Sequence, residues 1–577
     1  MRLLARNLAR GVYFVSQANE SESLKQRCST HARRVLVIGL DGATFDVLRP
    51  MMDSGRLPRL KGALDRGASG TLYSTVPPIT PAAWTTFLTG KQPGRHRILD
   101  FESYDVYTGH IQLNSSQRVQ HVRNLWQILS DKGLKVGSVN VPMTYPPMPV
   151  NGFVVTGFET PGPESQFAYP PELRTQILER WPDPTLRSKW KGGSNCDDKS
   201  FGENLAYVAN SFRQGVDMTV SLGDRFGWDA LMVVFKLVDN LQHKTWKYLD
   251  RRFAERNPRR TELTRQCFEK MDAAVGELMD YAAGHDAAVM IVSDHGHGSQ
   301  DGKCFPNRLL EKWGYLKLRG SLARAAGRTR RIVDRFYDKS KRTIVPIHDI
   351  ERHVPVDFAG TRACVMHAGN AGFLFINLKG RQPTGIVEPA DYERIRDDLI
   401  ARFRGEDSRV RAPWGETIEL FPEVYKPEEL YNVSREDEPW LPDLLLIQHE
   451  TLAVVRRLYG RKVVAWDSYA KLEGTHRKEG IFFAAGPGVR HNSSITAQLG
   501  DCAPTILALL GQRIPDDMEG RVLKEVFATA PKVEYESTAL SSPRDSVAAA
   551  LASHDEVYSE ADIQTVTERL ANLGYLE

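Results

Sequence analysis

Two short stretches place a carboxylate and an imidazole where one cation could take both. Asp239-Asn-Leu-Gln-His243 sets an Asp and a His four residues apart, and Asp294-His295 sets the same pair side by side. If the chain turns helical after Asp239, positions i and i+4 share a face. Asp41 and His476 add two more donors of the same kinds. Carboxylate and imidazole suit divalent cations such as zinc and manganese. Taken singly, each has a plain structural explanation, because an Asp at a strand end often caps a helix and a lone His is usually packing. Together, six donors divide into two three-ligand sites, and two cations about 4 Å apart clamp the attacking and leaving oxygens of a phosphoryl transfer. A nucleophile is then needed beside them. The segment PPITPAAWTTFLTG (77–90) is rich in hydroxyls. Thr80 precedes Pro81, and proline favours the first helical position. The Thr80 hydroxyl is therefore expected at a positive helix end, either as a plain N-cap or as the attacking group. Thr85 and Thr86 are the fallback nucleophiles.

The elements that must position these donors are visible as apolar runs. RVLVIGL (34–40) stops at Asp41-Gly42, ALMVVFKLV (230–238) at Asp239, and AAVMIVS (287–293) at Asp294-His295-Gly296. GIFFAAG (480–486) stops at Pro487-Gly488, with His476 just before it. Continuous apolar runs read as strands covered on both faces. Helical patterns lie between them, as at 125–132 and 261–283, so the expected class is α/β with a mainly parallel sheet. Ligands bind such sheets outside the carboxyl ends of the strands, and three of the four runs put an Asp there.

The stretch from about 300 to 460 breaks this rhythm. It holds a basic segment, 317–342, with ten Lys/Arg against Asp334 and Asp338. A strand-like GFLFINL (372–378), a Pro/Gly-rich loop and a helical pattern at 390–404 follow. A cap insertion is expected here, with the basic segment as a solvated helix face rather than a nucleic-acid site. The domain reading is an N-terminal extension (1–33), a catalytic domain (34–525) carrying the cap insertion at about 300–460, and a tail (526–577) ending in an amphipathic helix at 562–573. The start of the chain carries Arg2, Arg6 and Arg10 with no acid before Glu20, and GVYFV is too short for a secretory core. A frayed extension is preferred to a transit peptide or a surface-lying helix. No window of about 18 apolar residues exists, so no membrane-spanning helix is expected, and the location is read as cytoplasmic. The 577 residues are 41 % hydrophobic and 26 % charged, and 76 Lys/Arg against 72 Asp/Glu give +4. That near-balance excludes a surface that is basic throughout, and no nucleic-acid partner is expected. Six widely spaced cysteines without a CxxC exclude a zinc ribbon, a thioredoxin-type motif and a dense disulfide framework. Oligomeric state is not readable.

Taken together, VIGLDG (37–42), PPITPAAWTTFLTGKQPGRH (77–96), VDNLQH (238–243), SDHGHG (293–298), GTHRKEGIFFAAGPGV (474–489) and DCAPTILALLG (501–511) resemble the alkaline phosphatase superfamily. The branch is that of type I phosphodiesterases, nucleotide pyrophosphatases and predicted phosphohydrolases or phosphomutases. GFLFINLKGRQPTGIVEP (372–389) and ERLANLGYLE (568–577) are similar to its large bacterial members. The resemblance covers about 34–525 and the tail. It implies an alkaline-phosphatase-like, mainly parallel sheet sandwiched by helices, a cap insertion and two divalent metal ions, zinc first and manganese second. It assigns Asp41, Thr80, Asp294 and His295 to one metal, and Asp239, His243 and His476 to the other. Thr80, nine residues before Thr89, becomes the nucleophile of a phosphothreonine intermediate. Related sulfatases carry a formylglycine cysteine at that place; a Thr without C-x-P-S-R argues against sulfatase chemistry. The implied activity is hydrolysis of a phosphodiester or phosphoanhydride in a small, nucleotide-like substrate. A phosphomutase or phosphotransferase, or a phosphomonoesterase, is the alternative. A metal-bearing scaffold without turnover is disfavoured by the full ligand set.

The pattern also departs from the family. Nucleotide pyrophosphatases often carry T-F-P-N, whose Asn holds a phosphate oxygen, whereas T-P-A-A leaves Ala83 there. His297 is expected as an exposed turn residue rather than as a group supporting the metal ligands from behind. No cation follows Thr80 until Lys91. Strand alternation puts Lys236 on the face opposite Asp239, which leaves Lys478 as the cation able to reach the site. Diesters or phosphoanhydrides are expected to be cleaved faster than simple monoesters.

Overall fold

The computed structural model describes residues 32–182, 190–319, 356–456, 458, 461–538 and 557–573. The N-terminal extension and the basic segment at 317–342 lie almost wholly outside the described residues.

Nine strands form the central sheet. In chain order they are β1 (Arg34–Leu40), β2 (Ala68–Tyr73), β3 (Val136–Val141), β4 (Gly152–Thr156), β5 (Ala168–Tyr169), β6 (Ala230–Phe235), β7 (Ala287–Val292), β8 (Glu479–Ala485) and β9 (Ser493–Gln498). Across the sheet they lie in the order β9-β2-β8-β7-β1-β6-β3-β4-β5. β1 pairs in parallel with β6 and with β7. The apolar runs bury alternate residues on opposite sides. Leu36, Ile38 and Leu40 enter one core, together with Phe212 and Phe268 of the long helices Asp198–Phe226 and Pro258–Gly284. Val35 and Val37 enter a second core, with Trp84, Ile128 and Ile506 from helices on the other side. The sheet is thus sandwiched by helices, the architecture that an all-apolar parallel run demands.

Two boundaries differ from the sequence expectation, and both matter for the site. The run 230–238 stops being a strand at Phe235, and a helix, Leu237–Leu249, starts two residues later. The run 480–486 is antiparallel to both its neighbours, β7 and β2. Its first residues therefore lie at the edge where β1, β6 and β7 finish, which is how His476, just before it, reaches that edge.

Within 300–460, an antiparallel sheet joins Ala363–Ala368, Gly372–Ile376, Leu444–Ile447 and Glu423–Tyr425. It packs with the helix Tyr392–Arg404 around Leu374, Phe403 and Leu444. Arg97 ties this part to the sheet's carboxyl edge by a bidentate pair with Glu438, at 2.9 and 3.1 Å. The buried His367 lies 2.7 Å from Asp100. The terminal helix Glu560–Leu573 buries Val566 and Leu570 against Phe101, Leu113 and Phe158. Its Arg569 donates to the carbonyls of Thr160 and Pro161 at 2.6 and 2.8 Å. Among the described residues no helix is long and apolar enough to cross a membrane.

Candidate metal centre

The carboxyl edge of the sheet gathers all seven residues singled out in the sequence. Asp41 follows β1, and Asp294-His295 follow β7. Asp239 and His243 sit one turn apart on the helix Leu237–Leu249. His476 lies on the strand Glu473–Arg477, which pairs antiparallel with Gly296–Gln300. Thr80 is the first residue of the helix Thr80–Thr89; Ile79 is the N-cap and no side chain caps it. The Thr80 side chain is therefore one residue inside the helix and is not spent on capping. All seven are buried.

Two groups of donors form. His243 Nε2 and His476 Nε2 lie 3.2 and 3.3 Å from Asp239 Oδ1, and 3.0 Å from each other. His295 Nε2 lies 3.4 Å from Asp294 Oδ2, 3.8 Å from Asp41 Oδ1 and 3.4 Å from Thr80 Oγ1. Asp239 is within reach of both groups.

The outer nitrogens of the imidazoles fix their tautomers. Nδ1 of His243 faces the Gly474 carbonyl at 2.7 Å, that of His295 the Gly296 carbonyl at 3.0 Å, and that of His476 the Pro78 carbonyl at 2.9 Å. A fourth imidazole, His297, faces the Gly42 carbonyl at 3.2 Å. A carbonyl oxygen can only accept, so each Nδ1 carries the proton and each Nε2 keeps its lone pair. The Asn370 amide also lies 2.9 Å from His476 Nδ1. Oriented with Oδ1 toward the ring, it accepts from that same N–H, and its NH2 donates to Thr475 Oγ1, 3.2 Å away. Four lone pairs thus converge on a buried space that carboxylates share.

Charge in this space is strained without a cation. Burial pushes the Asp41 carboxyl up to about 7. Burial, and then the neighbouring Asp41, raise Asp294 well above the carboxylate range. For Asp239 burial acts in the same upward sense, but His243 and Lys236 outweigh it and hold the carboxyl well below that range. Burial holds His295, His297 and His476 in the neutral form. Asp294 Oδ2 and His297 Nε2 have no hydrogen-bond partner among the described residues. Carboxylates with neutral, inward-facing imidazoles are a donor set for divalent metal ions, and the residues fit them.

Several neighbours differ from expectation. Thr85 and Thr86, the fallback nucleophiles, are engaged elsewhere: Thr85 Oγ1 donates to the Pro81 carbonyl at 2.6 Å and Thr86 Oγ1 lies 2.9 Å from His96 Nε2. Lys236 is not on the opposite face. Its Nζ lies 2.5 Å from Asp239 Oδ2 and 3.5 Å from Asp41 Oδ1. Lys478 instead pairs with Glu423 at 2.5 Å. His297 is not an exposed turn residue: it is buried on the strand Gly296–Gln300, directly across from His476. Trp84 Nε1 donates to Asp41 Oδ2 at 3.0 Å, and Gly42 N–H to Asp294 Oδ1 at 3.0 Å, each aiming a carboxylate. Ala83 packs into the core beside Trp84 and offers no polar group.

The sequence model of the type I phosphodiesterase / nucleotide pyrophosphatase family matches residues 35–480. No curated protein sequence matches the chain significantly. Among solved structures, phosphonoacetate hydrolase of Sinorhizobium meliloti 1021, in complex with phosphonoformate, is 15 % identical, with 82 % of this chain and 94 % of that one covered and a TM-score of 0.46. Human ectonucleotide pyrophosphatase / phosphodiesterase 5 is 13 % identical, with 86 % of this chain and 100 % of that one covered and a TM-score of 0.46.

Proposed function

The chain belongs to the type I phosphodiesterase / nucleotide pyrophosphatase family, hydrolases of phosphoric ester and phosphoanhydride bonds, and we propose that it works through a nucleophilic Thr80 and two divalent metals on a small, nucleotide-like phosphodiester or phosphoanhydride. The observation that carries this reading is the set of imidazoles whose Nδ1–H groups are all turned outward to carbonyls, leaving their Nε2 lone pairs facing buried carboxylates. Asp41, Thr80, Asp294 and His295 would hold one metal, and Asp239, His243 and His476 the other, with zinc the first choice and manganese the second. Bound there, the metals supply Lewis-acid charge that offsets the negative oxygens of the attacking and leaving groups.

The chain's own residues prepare the attack. Thr80 Oγ1 sits in the first turn of a helix, where the peptide dipoles favour a negative oxygen. His295 Nε2 lies 3.4 Å from it, close enough for both to be ligands of one metal. Attack of that oxygen on phosphorus, with loss of the hydroxyl proton, breaks the bond to the leaving alcohol or phosphate, which takes up a proton in turn, and leaves a phosphothreonine that keeps the substrate's remaining ester group. Water then attacks the same phosphorus, giving phosphate or its monoester and restoring Thr80.

The test is a rapid acid quench of enzyme with a phosphodiester or a dinucleoside polyphosphate, followed by mass spectrometry of the peptide containing Thr80. A phosphoryl group that still carries the substrate's remaining ester (a nucleotidyl group, when a dinucleoside polyphosphate is used) is expected on Thr80, with turnover abolished in Thr80→Ala while metal content stays near two per chain. A Thr80→Ala enzyme that keeps most of its activity would overturn the role of Thr80. Adding an acceptor alcohol separates hydrolysis from transfer.

A further inference from the structure

We infer that His297 is a fourth protein ligand of the metal held by Asp239, His243 and His476. The inference rests on the two-metal reading and goes beyond it, because that reading leaves His297 outside both sites.

Three observations carry it. First, the tautomer is set: Nδ1–H donates to the Gly42 carbonyl at 3.2 Å. Gln242 Nε2, 3.5 Å from that nitrogen, donates to the same carbonyl at 2.6 Å. Nε2 is then a bare lone pair, on a fully buried ring, with no hydrogen-bond partner among the described residues. Second, it faces another acceptor, Asp239 Oδ1, at 3.6 Å. Two acceptors facing each other in a dry space repel unless a proton or a cation lies between them, and the proton is on the other nitrogen. Third, the spacing is that of a coordination shell. One ring nitrogen each of His243, His297 and His476 and one oxygen of Asp239 all lie within 4.8 Å of one another. The resolved edges are 3.0, 3.2, 3.3 and 3.6 Å. A tetrahedron built on metal–nitrogen bonds of about 2.0–2.1 Å has edges of roughly 3.3–3.4 Å.

The backbone makes room for this ring. Gly42 has φ 68°, and a Cβ there would stand 2.7 Å from His297 Nδ1. A Cβ at Gly474 would stand 2.9 Å from the ring's Cδ2. Both positions need glycine if the imidazole is to sit against the Gly42 carbonyl. The consequence is an unequal pair of sites. One metal takes three imidazoles and a carboxylate, a set that selects zinc; the other takes two carboxylates, one imidazole and a hydroxyl, a harder set that accepts manganese more readily.

The test uses the whole chain loaded with cobalt(II), whose ligands' imidazole N–H protons give paramagnetically shifted signals. Wild type should show four such exchangeable signals, three from one site and one from the other; three signals in a chain holding two metals would overturn the inference. In chelator competition, His297→Gln should lose affinity for one metal by more than about 100-fold, the upper range for groups that only orient a ligand, and keep the second metal. His297→Gln binding both metals as tightly as wild type, with an unchanged cobalt absorption spectrum, would equally overturn it. A wild-type chain binding fewer than two metals would instead be a failure of the two-metal reading itself.

Discussion

Lys236 Nζ lies 2.5 Å from Asp239 Oδ2, three residues further on, and 3.5 Å from Asp41 Oδ1, with all three side chains buried. The relationship exists because β6 ends at Phe235. Lys236 itself takes helical angles, φ −59° and ψ −32°, so residue i+3 falls on its own side of the new helix. The aromatic ring of Phe158 covers the ammonium at 5.1 Å. Asp239 and Asp41 outweigh the burial that would otherwise discharge Lys236 and raise its pKa.

Lys236→Met should therefore destabilise the metal-free protein by about 3–5 kcal/mol, the usual result of stranding a buried charge without its partner. Two divalent ions would neutralise the same carboxylates, so the metal-loaded protein should lose much less. Urea unfolding with and without a chelator checks this. An equal loss in both states would mean that the ammonium acts through packing rather than charge.

How much of this was legible follows the length of the pattern. Asp41, Asp239 and Asp294 stand beside apolar runs long enough to read as strands, and Thr80 stands before a proline. The rest depended on single-residue boundaries or on distant pairing. Alternation misplaced Lys236 because an apolar run does not show where strand becomes helix. His297 belongs to a strand of sequence GHGSQ, whose glycines carry no strand signal; its partner His476 is far along the chain. The reversed direction of β8 is invisible in sequence, because a strand buried on both faces reads the same either way.

The two groups of donors predict two separable metals. Asp239→Ala, His243→Ala and His476→Ala should each empty one site, and Asp41→Ala, Asp294→Ala and His295→Ala the other. Each change should slow turnover by orders of magnitude, since a two-metal clamp needs both charges. Elemental analysis finding both metals retained in any of the six would remove that residue from the ligand set.

A pH effect is expected away from the metals. Glu159 is buried, accepts N–H bonds from Thr144 and Tyr145 at 2.8 and 3.2 Å, and is pushed by burial up to about 7. The folded protein keeps this proton up to that pH, while the unfolded chain releases it at roughly 4.3. Stability therefore falls as pH rises through this window. Glu159→Gln, which keeps an acceptor and cannot ionise, should match wild type at pH 5 and exceed it at pH 8.5 by about 2–3 kcal/mol. Urea midpoints at the two pH values decide it; a constant difference between the proteins would contradict the shift.

Charge balance bears on the substrate. Asp41, Asp239 and Asp294 against Lys236 leave two negative charges at the site. On the proposed reading, two divalent metals would turn that into two positive ones, and ionising the Thr80 hydroxyl for attack would leave one. A phosphodiester anion brings one negative charge and neutralises the site; a monoester dianion brings two and leaves it negative in a low-dielectric space, which is costly. The extra donor that a monoester needs is not supplied by Lys478, which pairs with Glu423 at 2.5 Å, nor by Ala83. Lys236 is near enough, but its ammonium is already shared between Asp239 and Asp41. Bis-p-nitrophenyl phosphate should thus give a higher kcat/KM than p-nitrophenyl phosphate at saturating metal, and Lys236→Met should lower the diester rate as well. The opposite order for the two esters would mean that Lys236 leaves Asp41 to meet the third phosphate oxygen, and the monoester would become the substrate class.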